Sequence, residues 1–192
     1  MNERNPLWPI FLRMDRLPVL VVGGGAVAAE KLQFMLKSSP RSQVTLVARE
    51  VSAEVRAYEG QGYDLRIVEA EFGPAHLLGH RLVLAATDQR LTNEWIACAA
   101  RRNGCLVNVA DTPDLCDFYL GSVITKGNLK VGVSTNGKSP TLAKRFRQFL
   151  EAALPEETEQ LLVYLNRYRN VLAEDFAGKV KALEQLTRGM VE

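Results

Sequence analysis

The sequence predicts an α/β fold in which a parallel sheet flanked by helices is followed by a hairpin, a helix and a helical tail. Three observations lead there. Short apolar runs alternate with helical stretches through about residue 112, the grammar of right-handed βαβ units. A glycine turn, Gly23-Gly24-Gly25, links the first run to the first helix. Beyond Asp111 two β runs stand on either side of Lys126-Gly127-Asn128, a turn-rich triplet that reads as an antiparallel hairpin.

The first run, Leu17 to Val22, is continuously apolar and ends in glycine, as a strand buried on both faces does. A helix follows from about Ala26 to Lys37, with Val27, Leu32, Met35 and Leu36 turned inward. Gln43 to Ala48 is a second strand. Ser52 then caps a helix running to about Gly60, with Glu54 favouring its positive end. Leu65 to Val68 and Arg81 to Ala86 supply the third and fourth strands. Leu91 to Arg102 is helical and stopped by Gly104, and Cys105 to Ala110 is the fifth strand.

In the second part Tyr119 to Thr125 pairs with Leu129 to Ser134. Ser139-Pro140 opens a helix with an apolar face of Leu142, Phe146, Phe149 and Leu150, and Pro155 breaks it. Leu161, Leu165, Tyr168 and Leu172, then Phe176, Val180 and Leu183, carry a helical rhythm onward. The expected segments are therefore 1–112, 113–154 and 155–192, with no internal repeat.

Composition narrows the function. The 192 residues are 47% hydrophobic and 24% charged, which suits a packed core rather than disorder. A net charge of +2 provides no general basic face for nucleic acid. Cys98, Cys105 and Cys116 are an odd number without C-x-x-C spacing, so they read as small buried hydrophobes rather than a disulfide framework. Cys116, near the expected cleft, is the one to test for reactivity. The opening MNERNPLWPIFLRMDR carries charges and prolines where a secretory signal needs an apolar run. No stretch approaches the ~18–20 apolar residues of a membrane span. A cytoplasmic protein with no membrane or nucleic-acid partner is expected.

Gly23-Gly24-Gly25-Ala26-Val27-Ala28 fits G-x-G-x-x-G/A, the dinucleotide fingerprint. Gly23 allows the tight turn, Gly25 lets backbone approach a diphosphate, and Ala28 keeps helix and sheet close. The strand before it and the helix after it separate this match from a plain glycine-rich turn. The group that reads the adenosine ribose falls on Arg49-Glu50: a carboxylate selects NAD, an arginine welcomes NADP, and the residue types leave the choice open. Ala86-Thr87-Asp88 and Asn108 to Asp111 close the fourth and fifth strands, where open parallel sheets bind ligands. Thr87-Asp88 reads equally as a helix cap or turn. His76 and His80 stand four apart but flank Leu77-Leu78-Gly79, a short turn, so they read as structural and no metal site is expected.

Taken together, PIFLRMDRLPVLVVGGGAVAAEK, LVLAATD, VNVADTPDLCDF and VGVSTNGKSPTLAKRFR, in this order, resemble the siroheme synthase N-terminal family, precorrin-2 dehydrogenases of which some are also sirohydrochlorin ferrochelatases. The resemblance runs from about Leu7 to about Leu154, and the tail matches only in general character. It implies a Rossmann domain, a dimerisation segment exchanged between subunits and a small helical domain, hence a homodimer. It also implies NAD as hydride acceptor, with cofactor contacts at Gly23, Gly24, Gly25, Ala26 and Val27, at Arg49 and Glu50, and at Ala86 and Thr87. Asn108 joins them by its strand-end position. The family's key aspartate falls at Asp111. A serine phosphorylated in the family is Thr135 here, and Glu30 before Lys31 departs from the arginine of many relatives.

The activity so implied is oxidation of precorrin-2 to sirohydrochlorin, with ferrous iron insertion left open as a second reaction. Asp111 is the candidate base, against the plainer role of capping Thr112-Pro113. A substrate rich in carboxylates asks for a local basic rim, and Lys126, Lys138 and Ser134 are the candidates. Lys144, Arg145 and Arg147 cluster with them, and of these Lys144 and Arg147 read singly as the wet face of a helix. An NADP-linked reductase of another small molecule, or a non-enzymatic NAD-sensing oligomer, are the rival readings. No fused methyltransferase is expected.

Overall fold

The structure, a computed structural model, describes residues 5–190. Five parallel strands form one sheet: β1 (Val19–Val22), β2 (Val44–Ala48), β3 (Leu65–Glu69), β4 (Leu82–Ala85) and β5 (Leu106–Val109), in the order β3-β2-β1-β4-β5. Three helices connect them: α1 (Ala26–Ser38), α2 (Ala53–Arg56) and α3 (Arg90–Arg102). The chain winds outward from β1 to β3, then returns to place β4 on β1's other side. That reversal opens a crevice at the carboxyl ends of β1 and β4.

All four residues of β1 are buried because both faces of the sheet are covered. Val19 and Val21 join Leu32, Leu36, Leu46 and Val55 on one side, while Leu20 and Val22 join Val83, Ile96, Ala97 and Val107 on the other. This two-residue alternation is the strand's own geometry.

Three expectations need correction. Val27 was expected inward but is exposed, and Ala28 beside it is fully buried, because the helical phase places the small residue against the sheet. The helix after Ser52 is only α2. Ser52 does cap it, accepting from the Val55 amide, but Gly60 and Gly62 adopt positive φ (76° and 84°), which a continuing helix cannot hold. The first hairpin strand begins at Ser122 rather than Tyr119, so Lys126 closes a strand instead of opening the turn.

The chain divides into two compact units. One comprises the chain through Leu120 with Asn136–Lys138, and the other comprises Gly121–Thr135 with Ser139 onward. In the second, β6 (Ser122–Lys126) pairs antiparallel with β7 (Leu129–Val133), Lys126 opposite Leu129, around the two-residue turn Gly127-Asn128. Then follow α4 (Pro140–Ala153), α5 (Thr158–Val171) and α6 (Phe176–Thr187). Ser139 caps α4 by accepting from the Leu142 amide at 3.2 Å, with Pro140 in the first turn. The Glu159 carboxylate of α5 accepts from the backbone amide and the side-chain amide of Asn128, both at 2.6 Å, and so fastens the hairpin tip. Ile124 and Ala143 are buried, whereas Leu142, Phe146 and Phe149 of α4 are exposed. Among the described residues no helix is long and apolar enough to cross a membrane.

Candidate dinucleotide site

The glycine turn is wedged between the ends of two strands. Gly23 has φ 121°, and its amide donates to the Val47 carbonyl at 2.9 Å. A β-carbon there would strike the Ala86 carbonyl, and one on Gly24 would strike the Glu50 carbonyl. Any larger residue would therefore push β4 or β2 away. Gly25 is different. A β-carbon there would meet nothing within 4 Å, and as the N-cap of α1 it brings no capping side chain. The first-turn amides of α1, at Ala26 and Val27, lie at an uncapped and exposed helix start, where the positive end of the helix dipole attracts an anion. Open room at Gly25 and a helix start without a cap fit a dinucleotide diphosphate.

Beyond β2, Arg49 and Glu50 are both exposed. The Arg49 guanidinium lies 2.6 Å from the Glu71 carboxylate, whereas the Glu50 side chain makes no hydrogen bond or ion pair with any described residue. The Ser52 amide donates to the Gly24 carbonyl at 2.8 Å, which ties this stretch to the turn.

Beyond β4, the Ala86 amide donates to the Val22 carbonyl at 2.8 Å. Thr87 is held by Asn93 of α3. Asn93 Oδ1 accepts from the Thr87 amide (3.2 Å) and hydroxyl (2.7 Å), and Asn93 Nδ2 donates to the Thr87 carbonyl (3.0 Å). Thr87 Oγ1 also accepts from the Gln89 amide at 3.3 Å, so Thr87 forms a turn into α3, whose N-cap is Gln89. Its hydroxyl is spent on shaping the segment that touches the glycine turn. Asn93 is a buried polar residue that sequence reasoning missed, although it occupies a core position, with Ile96, Ala97 and Ala100 at i+3, i+4 and i+7.

At the tip of β5 the Ala110 amide donates to the Ala85 carbonyl at 2.9 Å, so β5 ends beside β4. Asp111 is exposed, adopts φ 54°, and its carboxylate makes no hydrogen bond or ion pair with a described residue. The capping role is not taken up, because the turn Pro113–Leu115 is N-capped by Thr112, without a side-chain bond. A non-glycine residue in this backbone region must be held there by its surroundings. On either side of Asp111 in sequence, the Cys116 sulfur accepts from the Val109 amide (3.2 Å), and its single S–H lies within reach of the carbonyls of Val109 (3.3 Å) and Thr112 (3.4 Å). Burial pushes the Cys116 thiol above its ordinary value, with Asp117 acting in the same direction, which favours the thiol over the thiolate. Asn108, expected against the cofactor, is corrected: it is buried, and its amide nitrogen donates to the Phe118 carbonyl at 2.9 Å.

Lys138 and Ser134 are exposed. Lys126 is engaged by Glu156, and Arg147 by Glu151 at 2.7 Å, so those two charges are partly neutralised within their own unit. His76 Nδ1 accepts from the Gly73 amide at 3.0 Å and braces its turn. His80 is half-buried and its Nδ1 is buried without a partner among the described residues. Burial holds its imidazole below the ordinary value.

Comparison with known proteins agrees with this geometry. A family model described as NAD(P)-binding matches residues 10–122, and one described as the central region of a sirohaem biosynthesis protein matches residues 126–153. The chain is 42% identical over 147 residues to a siroheme synthase of Methylococcus capsulatus, covering 77% of this chain and 30% of that protein. It is 36% identical over 170 residues to one of Nitrosomonas eutropha, covering 88% and 35%. The chain thus spans about a third of the length of these curated relatives. The solved structure of SirC, a precorrin-2 dehydrogenase, is similar over 94% of this chain and 89% of its own, with a TM-score of 0.74 and 27% identity. The chain belongs to the siroheme synthase N-terminal family, and its first unit is an NAD(P)-binding Rossmann-type domain.

Proposed function

We propose that the chain oxidises precorrin-2 to sirohydrochlorin, working as a homodimer in the cytoplasm. The observation that carries this reading is that the carboxyl ends of the strands bear both a glycine turn with open room at Gly25 and the carboxylate of Asp111, unpaired among the described residues. The likeness to SirC along nearly the whole chain supports it. Bound NAD supplies the hydride acceptor, and the reaction balances as loss of one hydride and one proton from the macrocycle.

The residues of this chain do the rest. The uncapped start of α1, from Ala26, and the backbone of Gly24 and Gly25 hold the diphosphate. Glu50 accepts from the ribose hydroxyls. The backbone of Ala86 and Thr87, held by Asn93, forms the crevice wall. Asp111 accepts the proton at its carboxylate, for which its exposure and its lack of a partner among the described residues suit it. Lys138, an exposed cation of the first unit, would meet a carboxylate of the substrate. The exposed Leu142, Phe146 and Phe149 of α4 support the homodimer, since an apolar stripe of this kind favours cover. Ferrous iron, as a second substrate, would be ligated by the macrocycle's own nitrogens and requires no protein metal cluster.

The experiment is anaerobic incubation with precorrin-2 and NAD, with and without ferrous iron, following NADH and the tetrapyrrole spectrum. NADH formed in step with sirohydrochlorin supports the reading. Dinucleotide binding without turnover would favour a sensor, and indifference to the tetrapyrrole would favour another reductase.

A further inference from the structure

The charge pattern at the edge of β2 and β3 bears on which dinucleotide the site accepts. The parallel register pairs Ala48 with Glu69, so the chain two residues beyond Glu69 runs beside the chain just beyond β2. There the Glu71 carboxylate meets the Arg49 guanidinium at 2.6 Å. Glu50, the adjacent residue, has its carbonyl packed against Gly24 and its carboxylate unpaired among the described residues. This stretch therefore lies against the glycine turn, on the side where the adenosine ribose falls in a Rossmann domain.

We propose that Glu71 is a cofactor-specificity residue, which excludes NADP by occupying the arginine that would otherwise receive its 2′-phosphate. The inference rests on the dinucleotide reading of this site. A 2′-phosphate brings between one and two negative charges and is best met by a free guanidinium fork. Here Arg49 is paired with Glu71 and followed in sequence by Glu50, so the three residues carry one net negative charge. Arg56, the next cation, is already held by Glu69 at 2.7 Å and Glu59 at 3.7 Å. NAD brings only hydroxyls to this edge, and Glu50 can accept from them. The Arg49–Glu71 pair is about 70% exposed on both sides, so it contributes little to stability. It acts through charge count and position, and its effect should shrink as salt rises.

The test uses the full chain with Glu71→Gln, and with Arg49→Gln added to it. Titration calorimetry reads the affinities of NAD and NADP, and of adenosine 5′-monophosphate against adenosine 2′,5′-bisphosphate, at low and high salt. Glu71→Gln is expected to tighten NADP and the bisphosphate about tenfold at low salt while NAD changes less than about twofold. Adding Arg49→Gln should abolish the gain. An unchanged NAD-to-NADP ratio in Glu71→Gln, with NAD still bound, overturns the inference alone. Equal weakening of both dinucleotides also overturns it, since Glu71 would then only brace the β2–β3 edge. A parent chain that binds neither dinucleotide overturns the inference together with the reading beneath it.

Discussion

Replacing Asn93 by alanine tests how the crevice wall is built. Asn93 is 5% exposed, and its side chain makes three hydrogen bonds, all to Thr87. Each such bond contributes about 0.5–1.5 kcal/mol net, so the three together contribute roughly 1.5–4.5 kcal/mol. Thr87 is half-buried, and water can reach some of the groups left behind. The expected loss is therefore near the middle of that range, about 3 kcal/mol. For a chain of this length that corresponds to a fall in Tm of about 6–12 °C. Because Thr87 follows the carbonyl that presses on Gly23, the loosened segment should also weaken NAD binding. The assay is urea unfolding followed by the fluorescence of Trp95, which packs edge-on against Phe72 at 5.1 Å, with an NAD titration alongside. Ile96→Ala is the control, since it removes a fully buried side chain from the same helix face without touching Thr87. Asn93→Ala unfolding at the parent urea midpoint would refute the hydrogen-bond account. Equal loss of NAD affinity in Ile96→Ala would refute the positioning role.

The remaining expectations concern the base, the interface and acid stability. Asp111→Asn should preserve folding and NAD affinity while lowering turnover by about 10²-fold or more, read by steady-state kinetics; a parent-like kcat removes the assignment. Phe149→Glu places a charge on the exposed apolar stripe of α4 and should turn a dimer into monomers in sedimentation, and a persisting dimer would place the interface elsewhere. His80 has its folded-state value lowered by burial, so the unfolded chain binds the proton more readily. Its contribution to stability is complete above the unfolded value of about 6.5 and is lost as pH falls through the lower folded value. Urea midpoints between about pH 8 and pH 5 should fall on the acid side, and His80→Gln should flatten that limb. A limb unchanged by the substitution would show that other groups cause it.

The central strands β1 and β4 were legible because a strand covered on both faces must be an apolar run, and all four residues of each are apolar and buried. The glycine turn was legible for a related reason: Gly23 and Gly24 touch backbone on both sides, and only glycine fits. Residues whose role depends on side-chain direction were harder. Asn108 sits at a strand tip by topology, yet Val107 and Val109 fill one face and turn its amide to Phe118 on the other. Asn93 escaped notice because apolar periodicity counts only apolar residues, and this core position carries an amide. Glu71 depends on the β2–β3 register, which pattern reasoning does not supply. The helix after Ser52 was overextended because its cap is genuine, whereas the backbone angles of Gly60 and Gly62 that forbid its continuation cannot be read from composition.

The central claim is that the carboxyl ends of the strands join a bound dinucleotide to a proton-accepting carboxylate for oxidation of a tetrapyrrole. Its most direct test is a single-turnover experiment with precorrin-2, NAD and either the parent chain or Asp111→Asn. The expected result is one NADH per sirohydrochlorin for the parent chain, and for the variant NAD binding of unchanged affinity with little NADH. A parent chain that binds NAD tightly but leaves precorrin-2 unoxidised under the same anaerobic conditions would contradict the claim.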